Sequence, residues 1–470
     1  MTPGTYDLIV IGAGPAGEKG ATKAAQYGKR VALIERAPYL GGAGINTGTV
    51  PSKTLRESAL YFSGLRQRGL YGIDYSLKED LTIKDFMHRE RIVVDQEREM
   101  IAHHIQHHNV ALFHGEASLK DRYTVRIKSG KDTEEISGEI ILIATGSSPH
   151  HPTEIPFDHE RIFDSDSILN MKRIPKTMAV VGGGVIGTEY ASIFTALGIQ
   201  VTLIEPRGRI VSFVDSEIAG RLTNQLLTLG LNFIFNDRMK TIERDGKYVR
   251  LVLEKGGAKD FDAVLVAAGR QSNVQGLGLE NVGVKLGERG LILVDENFKT
   301  EVPNIYAVGD VIGFPALAST SMEQARAAVV NAFDLSYKEK LAPFVPLAVY
   351  AIPEVSAIGL TEDDCKAKNI PYLIGRGYYK DNARGQIIGD MSGMIKLVFS
   401  PTDKKLLGTH IIGEQASELI HIASHVMLHG GPIDSFIDAV YNYPTLSDSF
   451  QYAAYDGLAQ HAKWLETNPK

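Results

Sequence analysis

The 470-residue chain has a single cysteine, Cys365, and no apolar run as long as a membrane span needs. One cysteine excludes an intrachain disulfide and a thiolate metal site, and it favours a reducing, cytoplasmic compartment. The acidic residues just before Cys365 argue against a redox role for its thiol. The net charge of −6 is mild and gives no reason to expect nucleic acid or an anionic membrane as a partner.

Two further features are weak signals. The N-terminal apolar run lacks a basic leader and leads directly into glycines, so it predicts a first β-strand and not a signal peptide. The histidines of residues 103–108 lie one helical turn apart in pairs, but no motif supplies further ligands. We therefore predict no metal site.

The strongest signal is an internal repeat of strand, glycine turn, helix and strand. One copy runs from Gly12 to Glu35 and the other from Gly182 to Glu205, with the same spacing. In such a unit, the first glycine makes the turn, the second admits a pyrophosphate, and the third lets the helix pack on the strand. The closing acid accepts hydrogen bonds from a ribose diol. The two copies predict two dinucleotide sites.

Three other apolar segments end in small or acidic residues, as expected where the chain passes beneath a dinucleotide or reaches the carboxyl edge of an α/β sheet. They are Ile140–Gly146, Ala263–Arg270 and Asn304–Asp310. The sequence thus predicts an α/β fold with two Rossmann-like domains.

Together these residues resemble the pyridine nucleotide–disulfide oxidoreductases over nearly the whole chain. The resemblance implies an FAD-binding domain of residues 1–150 and 275–344, an NAD(P)-binding domain of residues 151–274, and a C-terminal α+β dimerisation domain of residues 345–470. It also implies a homodimer.

The resemblance assigns residues to both cofactors. Asp310 would hold the ribityl chain of FAD, and the helix beginning near Ala318 would direct its positive end toward the flavin. The residues implied for FAD are Gly12, Gly14, Gly17, Glu35, Arg36, Gly42, Gly48, Lys53, Gly115, Ala117, Ala144, Thr145, Gly146, Gly309, Asp310 and Ala318. Those implied for NAD(P) are Gly182, Gly184, Ile186, Gly187, Glu189, Glu205, Arg207 and Gly269.

The stretch that matches the family's redox disulfide departs from the pattern. Gly44 and Thr49 occupy the two cysteine positions, and Tyr443 replaces the C-terminal histidine that serves thiol chemistry. A phenol with a pKa near 10 is a poor base at neutral pH. Dithiol reduction is therefore excluded, and direct hydride exchange between nicotinamide and flavin remains.

The resemblance implies roles for four residues in that exchange. Lys53 and Glu189 would form a buried pair that tunes the flavin and guides the nicotinamide, the alternative being a surface pair. Thr49 would hydrogen-bond to the flavin or merely fill space. Tyr443 would lie against the flavin of the partner subunit.

The sequences of residues 350–354 and 413–422 are most similar to those of the transhydrogenase branch of the family. That likeness implies hydride exchange between NADPH and NAD+. An alternative is an NAD(P)H:quinone reductase, with a quinone acceptor in the space beside Gly44. A rival of another class is a non-catalytic flavin-bearing regulator, against which the complete second nucleotide unit argues.

The sequence does not decide between NAD(H) and NADP(H) as the preferred dinucleotide. Glu205 should accept the ribose diol and repel a 2′-phosphate, which favours NAD(H). Arg207 and Arg209 follow directly and would bind that phosphate, unless both are solvated loop charges.

Overall fold

The structure is a computed structural model that describes residues 5–64, 81–336 and 340–468. These residues divide into two compact units. The first lies within Met1–Thr54, Met87–Pro152 and Ala268–Leu341, and the second within Leu55–Phe86, Thr153–Ala267 and Ala342–Lys470. The second unit combines residues expected in the NAD(P) domain with residues expected in the C-terminal domain, and the three-domain division stays a prediction.

The elements of the described residues are as follows. The strands are β1 (Thr5–Ile11), β2 (Val31–Glu35), β3 (Ala111–His114), β4 (Glu116–Leu119), β5 (Thr124–Ser129), β6 (Asp132–Ile143), β7 (Ser147–Pro149), β8 (Ile162–Phe163), β9 (Thr177–Val181), β10 (Gln200–Glu205), β11 (Asn232–Phe235), β12 (Met239–Asp245), β13 (Tyr248–Leu253), β14 (Ala258–Phe261), β15 (Ala263–Val266), β16 (Arg270–Ser272), β17 (Ile305–Ala307), β18 (Leu347–Val349), β19 (Val355–Gly359), β20 (Leu373–Tyr378), β21 (Met394–Phe399) and β22 (Leu406–Ile412). The helices are α1 (Pro15–Gln26), α2 (Gly42–Asn46), α3 (Thr49–Ser63), α4 (Ile83–Phe86), α5 (His88–His107), α6 (Val185–Ala196), α7 (Ser216–Leu229), α8 (Leu279–Val282), α9 (Ala318–Ala332), α10 (Glu362–Ala367), α11 (Ala383–Ile388), α12 (Ala416–Leu428), α13 (Ser435–Asp438) and α14 (Ser449–Thr467).

Seven of the described strands form the sheet of the first unit, in the order β3-β2-β1-β6-β5-β4, with β17 also paired to β6. The last four residues of β1 are buried, as expected for a parallel strand covered on both faces. The parallel register aligns Ile11 with Ile34 and Ile143, and Ile143 with Ala307. The residues that follow these four positions therefore share one edge of the sheet.

The second unit contains a parallel sheet in the order β11-β10-β9-β15-β8. Its register aligns Val181 with both Ile204 and Val266. The strands β12, β13 and β14, which fall between β11 and β15 in the sequence, form a separate antiparallel sheet. The repeat recognised in the sequence is thus a repeat of structure, with the two glycine turns at equivalent strand ends.

The C-terminal residues form an antiparallel sheet in the order β18-β19-β22-β21-β20. Its buried side chains, among them Phe399 and Ile411, pack with Ile420 of α12 and with Phe450 of α14. This mixed α/β architecture confirms the predicted fold class. Within the described residues, no helix is both long and apolar enough to cross a bilayer.

A buried ion cluster in the second unit joins the start of α7 to the C-terminal sheet. Lys396 on β21 is fully buried, and its ammonium lies 2.8 Å from Asp215, 3.1 Å from Glu217 and 2.5 Å from Glu362. Asp215 also caps the first turn of α7 by accepting from the backbone N–H of Glu217. The three carboxylates lie close enough together to suggest a metal site, but the lysine supplies the positive charge there.

The charges of this cluster set a pH window for its contribution to stability. Burial alone would raise the pKa of Asp215 and of Glu217. A hydrogen bond from Lys396 lowers the pKa of Asp215 below the ordinary 3.8, and hydrogen bonds from Arg376 and Lys396 lower the pKa of Glu217 below the ordinary 4.5. Burial would lower the pKa of Lys396, but its carboxylate partners raise it above 10.5. The stabilisation is therefore complete above the ordinary carboxyl pKa values and below the ordinary lysine pKa. It is lost as pH falls through the lowered carboxyl pKa values or rises through the raised lysine pKa.

We predict that Lys396→Met lowers the free energy of unfolding by about 3–5 kcal/mol, because three carboxylates would lose their buried counter-charge. Chemical denaturation at neutral pH measures this effect, and the difference from the wild type should narrow below about pH 4. Lys366→Ala is the matched control, since Lys366 is exposed and lies 3.7 Å from Glu362. Equal stability of the two variants would contradict the role given to Lys396.

Candidate active site

The first glycine turn follows β1 at the carboxyl edge of its sheet. The N–H of Gly12 donates to Ile34 O at 2.8 Å, and its φ of +101° is one that residues with a side chain rarely adopt. A Cβ on Gly17 would lie 1.7 Å from Gly12 O. Only a glycine at position 17 therefore lets α1 begin this close to the strand that it follows.

The second turn repeats this geometry after β9. The N–H of Gly182 donates to Ile204 O at 2.9 Å, and its φ is +106°. A Cβ on Gly187 would lie 1.8 Å from Gly182 O. The middle glycine differs, because a Cβ on Gly184 would meet nothing within 4 Å. The protein alone does not require glycine there, and a bound pyrophosphate would.

The closing acids Glu35 and Glu205 occupy matching positions. Each is buried and accepts two backbone hydrogen bonds: Glu35 from Ala13 and Ala37, both at 2.8 Å, and Glu205 from Gly183 at 2.7 Å and from Arg207 at 2.9 Å. Each carboxylate thus braces its glycine turn, and it retains lone pairs that can accept from a ribose diol.

The helices after these turns begin without side-chain caps. Within the described chain, no side chain caps α1 at Gly14, α6 at Gly184 or α9 at Leu317, whereas Asp215 caps α7. The first N–H groups of an uncapped helix need a partner, and an anion satisfies them best. The helix expected to face the flavin does begin at Ala318.

A cavity of about 560 Å³ lies beside Glu35 in the first unit. It is lined by Arg36, Ala37, Pro38, His114, Gly115, Glu116, Lys128, Ser129 and Gly130. Arg36 and Gly115 are both among the residues expected to bind FAD. A Cβ on Gly115 would also lie 2.7 Å from Lys128 O, so this glycine is needed for the close approach of β5.

Five further residues expected at FAD lie together at the carboxyl edge of the first unit's sheet. Ala144 donates to Ile11 O at 2.8 Å, Thr145 and Gly146 follow it, and Asp310 lies in a 3-10 turn after β17. Asp310 accepts a hydrogen bond of 2.7 Å from Ser147, and Gly309 N donates to the buried Gln324. Sequence reasoning missed Ser147 and Gln324, and a polar residue on a buried helix face was the available signal for Gln324.

The segment that lacks the redox cysteines forms α2 and the start of α3. A Cβ on Gly44 would lie 2.7 Å from Pro15 Cγ, so the Pro15 ring would have to shift to admit a side chain at this position. Asn46 donates to Leu40 O at 2.8 Å and Gly42 O at 2.9 Å, and it accepts from Arg98 at 2.7 Å. These hydrogen bonds hold the segment in place without a disulfide.

The residues expected to act on hydride transfer lie in both units. Thr49 is exposed at the first residue of α3, and Lys53 lies one turn later and donates to Ser52. Glu189 on α6 is buried and accepts from the backbone N–H of Tyr350 at 2.9 Å. Tyr443 is 74% exposed. The pairing of Lys53 with Glu189 stays a prediction, and Tyr350 is a partner that sequence reasoning missed.

The two arginines after Glu205 have different surroundings. Arg207 is 69% exposed, lies 3.6 Å from the Glu205 carboxylate and donates to Ser212 Oγ. Arg209 is engaged elsewhere, with Asp363 at 3.2 Å and Ser212 O at 2.7 Å. Arg207 is therefore the better candidate to meet a ribose phosphate.

Comparison with known proteins agrees with this geometry. Residues 6–331 match the family model described as pyridine nucleotide-disulphide oxidoreductase, and residues 345–454 match the dimerisation domain of the same family. The chain belongs to the pyridine nucleotide-disulphide oxidoreductase family. Membership confirms the predictions of an oxidoreductase enzyme and of FAD and NAD(P) as its cofactors, and the dimerisation domain supports the expected homodimer.

Relatives within this family span almost the whole chain. A protein of Mycobacterium bovis named soluble pyridine nucleotide transhydrogenase is 43% identical over 96% of this chain and 97% of its own length. A protein of the same name from Chromohalobacter salexigens is 38% identical over 97% of this chain and 99% of its own.

Solved structures of other members share the fold. LpdA from Mycobacterium tuberculosis has a TM-score of 0.89 and 26% identity, with 95% of this chain and 99% of that chain covered. The flavoprotein disulfide reductase RclA from Escherichia coli, solved as a Cu(II) complex, has a TM-score of 0.86 and 27% identity over 97% of this chain and 99% of its own.

We predict that Gly184→Ala leaves folding and FAD content unchanged but weakens nicotinamide dinucleotide binding by at least about tenfold, because its methyl group would occupy the space of the pyrophosphate. Calorimetric titration with NAD+ and NADPH, together with thermal unfolding, measures both effects. Gly187→Ala is the contrasting variant and should destabilise the second unit outright, given the 1.8 Å approach to Gly182 O. Normal dinucleotide affinity in Gly184→Ala would show that this turn does not hold the pyrophosphate.

Proposed function

We propose that the protein is a cytoplasmic, homodimeric NAD(P)+ transhydrogenase that uses FAD and no redox disulfide. The observation that carries the proposal is the coexistence of two complete dinucleotide-binding turns with a segment, residues 41–53, that has no cysteine. Electrons therefore have no thiol relay, and direct hydride transfer between a bound flavin and a nicotinamide dinucleotide is the chemistry that the two turns would support. The names of the relatives support the same choice.

The residues at the first sheet edge fit FAD. The uncapped start of α1 offers N–H groups to a pyrophosphate, Glu35 offers lone pairs to a ribose, and the cavity at Arg36 has room for an adenine. Bound FAD supplies a carrier that takes hydride from one dinucleotide and returns it to another.

The chain's own side chains position the reactants and balance charge. Lys53 would place a positive charge beside the flavin, and the buried Glu189, held by the Tyr350 amide, would compensate it and help to orient the nicotinamide. Thr49, at the exposed start of α3, would offer its hydroxyl to the ring, and Tyr443 would close the site of the partner subunit.

Tolerance of both dinucleotides would come from Glu205 and Arg207. A carboxylate that accepts the ribose diol favours NAD(H), and an exposed arginine beside it can neutralise the 2′-phosphate of NADP(H). A transhydrogenase has to bind both forms, and this acid–arginine pair provides for each.

We predict that the purified holoprotein transfers hydride from NADPH to a thio-analogue of NAD+, which is followed by the absorbance of the reduced analogue. Alkylation with iodoacetamide should leave the rate unchanged, because Cys365 is buried and burial raises the pKa of its thiol.

Lys53→Met should slow the reduction of the bound flavin by NADPH. Rapid transfer to a quinone with none to the analogue would favour the quinone reductase, and a flavin-bearing protein with neither activity would favour the regulator.

We predict that Arg207→Ala lowers kcat/KM for NADPH relative to NADH by about tenfold, through loss of a charge-assisted contact to the 2′-phosphate. Steady-state kinetics with both donors gives this ratio. Arg209→Ala is the matched control, because Arg209 is engaged with Asp363 and Ser212. An unchanged donor ratio in Arg207→Ala would remove the phosphate role of this arginine.

A further inference from the structure

The short antiparallel pair of β7 and β16 lies in the first unit and joins segments that are far apart in the sequence. Its register pairs Ser147 with Ser272 and Pro149 with Arg270. β7 follows Thr145 and Gly146, which are proposed to lie at FAD. The pairing therefore connects β16 to the segment that is proposed to contact the flavin.

Arg270 and Asp310 are connected through one hydroxyl group. Arg270 Nε donates to Ser147 Oγ at 2.8 Å, and Arg270 Nη2 donates to Ser147 O at 2.7 Å. Arginine has donors and no acceptor, so Ser147 Oγ accepts this bond and directs its own proton elsewhere. That proton goes to Asp310 Oδ2 at 2.7 Å.

A second set of contacts holds the backbone on either side of Asp310. The hydroxyl of Ser272 on β16 shares its one proton between Gly290 O at 3.0 Å and Val311 O at 3.4 Å. On the other side of Asp310, Gly309 N donates to Gln324 Oε1 at 2.8 Å. The aspartate is thus fixed both along the chain and through one of its carboxylate oxygens.

We propose that Arg270 is a positioning residue for the flavin cofactor, acting through the Ser147 hydroxyl on the carboxylate of Asp310. The inference rests on the proposed function in its use of FAD, with Asp310 at the ribityl chain as the family resemblance implies. The guanidinium orients the hydroxyl, the hydroxyl binds Oδ2, and the carboxylate is thereby presented to the ribityl hydroxyls in one orientation. Without Arg270, the serine hydroxyl can rotate and the carboxylate loses its directed donor.

The test compares variants that differ in one hydrogen-bonding group. Ser147→Ala removes the hydroxyl and Ser147→Thr keeps it, while Arg270→Met removes the donors and Arg270→Lys keeps a charge. Gln271→Ala is the control from the same strand, because the Gln271 side chain is exposed and contacts His150 instead. The dissociation constant of FAD from each protein is measured by flavin fluorescence after removal and re-addition of the cofactor, together with the visible spectrum and the thermal midpoint of each holoprotein.

We expect Ser147→Ala and Arg270→Met to weaken FAD binding by about tenfold or more, the loss expected for a hydrogen bond to a charged group. The visible flavin band should shift in both. Ser147→Thr and Gln271→Ala should stay within about twofold of the wild type, and Arg270→Lys should lie in between.

Variants that melt earlier but bind FAD with wild-type affinity and an unchanged spectrum would overturn the proposal, since Arg270 would then be only structural. If Arg270→Met does not fold, the comparison of Ser147→Ala with Ser147→Thr decides, and equal FAD affinity of these two would also overturn it. The proposed function fails in a different way: a wild-type protein that binds FAD yet transfers no hydride would refute the transhydrogenase and leave this order of affinities intact.

Discussion

The close approach of a helix to the turn before it is the constraint on which the nucleotide-binding geometry depends. At Gly17 and Gly187 a side chain would overlap the carbonyl oxygen of the preceding turn, at 1.7 and 1.8 Å. Because that space is empty, α1 and α6 begin directly at the carboxyl edges of their sheets, and their first N–H groups point away from the sheet. The uncapped helix starts and the bracing acids Glu35 and Glu205 follow from this arrangement.

The segment of residues 41–53 has no cysteine and therefore no covalent link, and hydrogen bonds hold it. Asn46 ties the segment to its own preceding turn and to Arg98 of α5, and Gly44 packs directly against Pro15. The segment thus stays close to the start of α1, where a pyrophosphate is expected.

Charged groups in the second unit join the start of α7 and the loop after β10 to the C-terminal elements. Asp215 caps α7 and pairs with Lys396, and Arg209 reaches Asp363 at the start of α10. The loop after Glu205 is therefore anchored at Arg209 while Arg207 stays exposed beside the carboxylate. Arg209 is thus held by contacts within the protein, whereas the guanidinium of Arg207 is exposed enough to contact a ligand.

The sequence by itself determined the α/β class, the two glycine turns, their closing acids and the lack of cysteine in residues 41–53, because these depend on local spacing and on residue type. Tertiary structure decided which groups form hydrogen bonds with each other across long separations in the sequence. Arg270, Ser147 and Asp310 lie more than a hundred residues apart at their extremes, and so do Glu189 and Tyr350. No local pattern reveals such partners, because a hydrogen bond depends on distance in space, and only the packing of sheets and helices sets that distance.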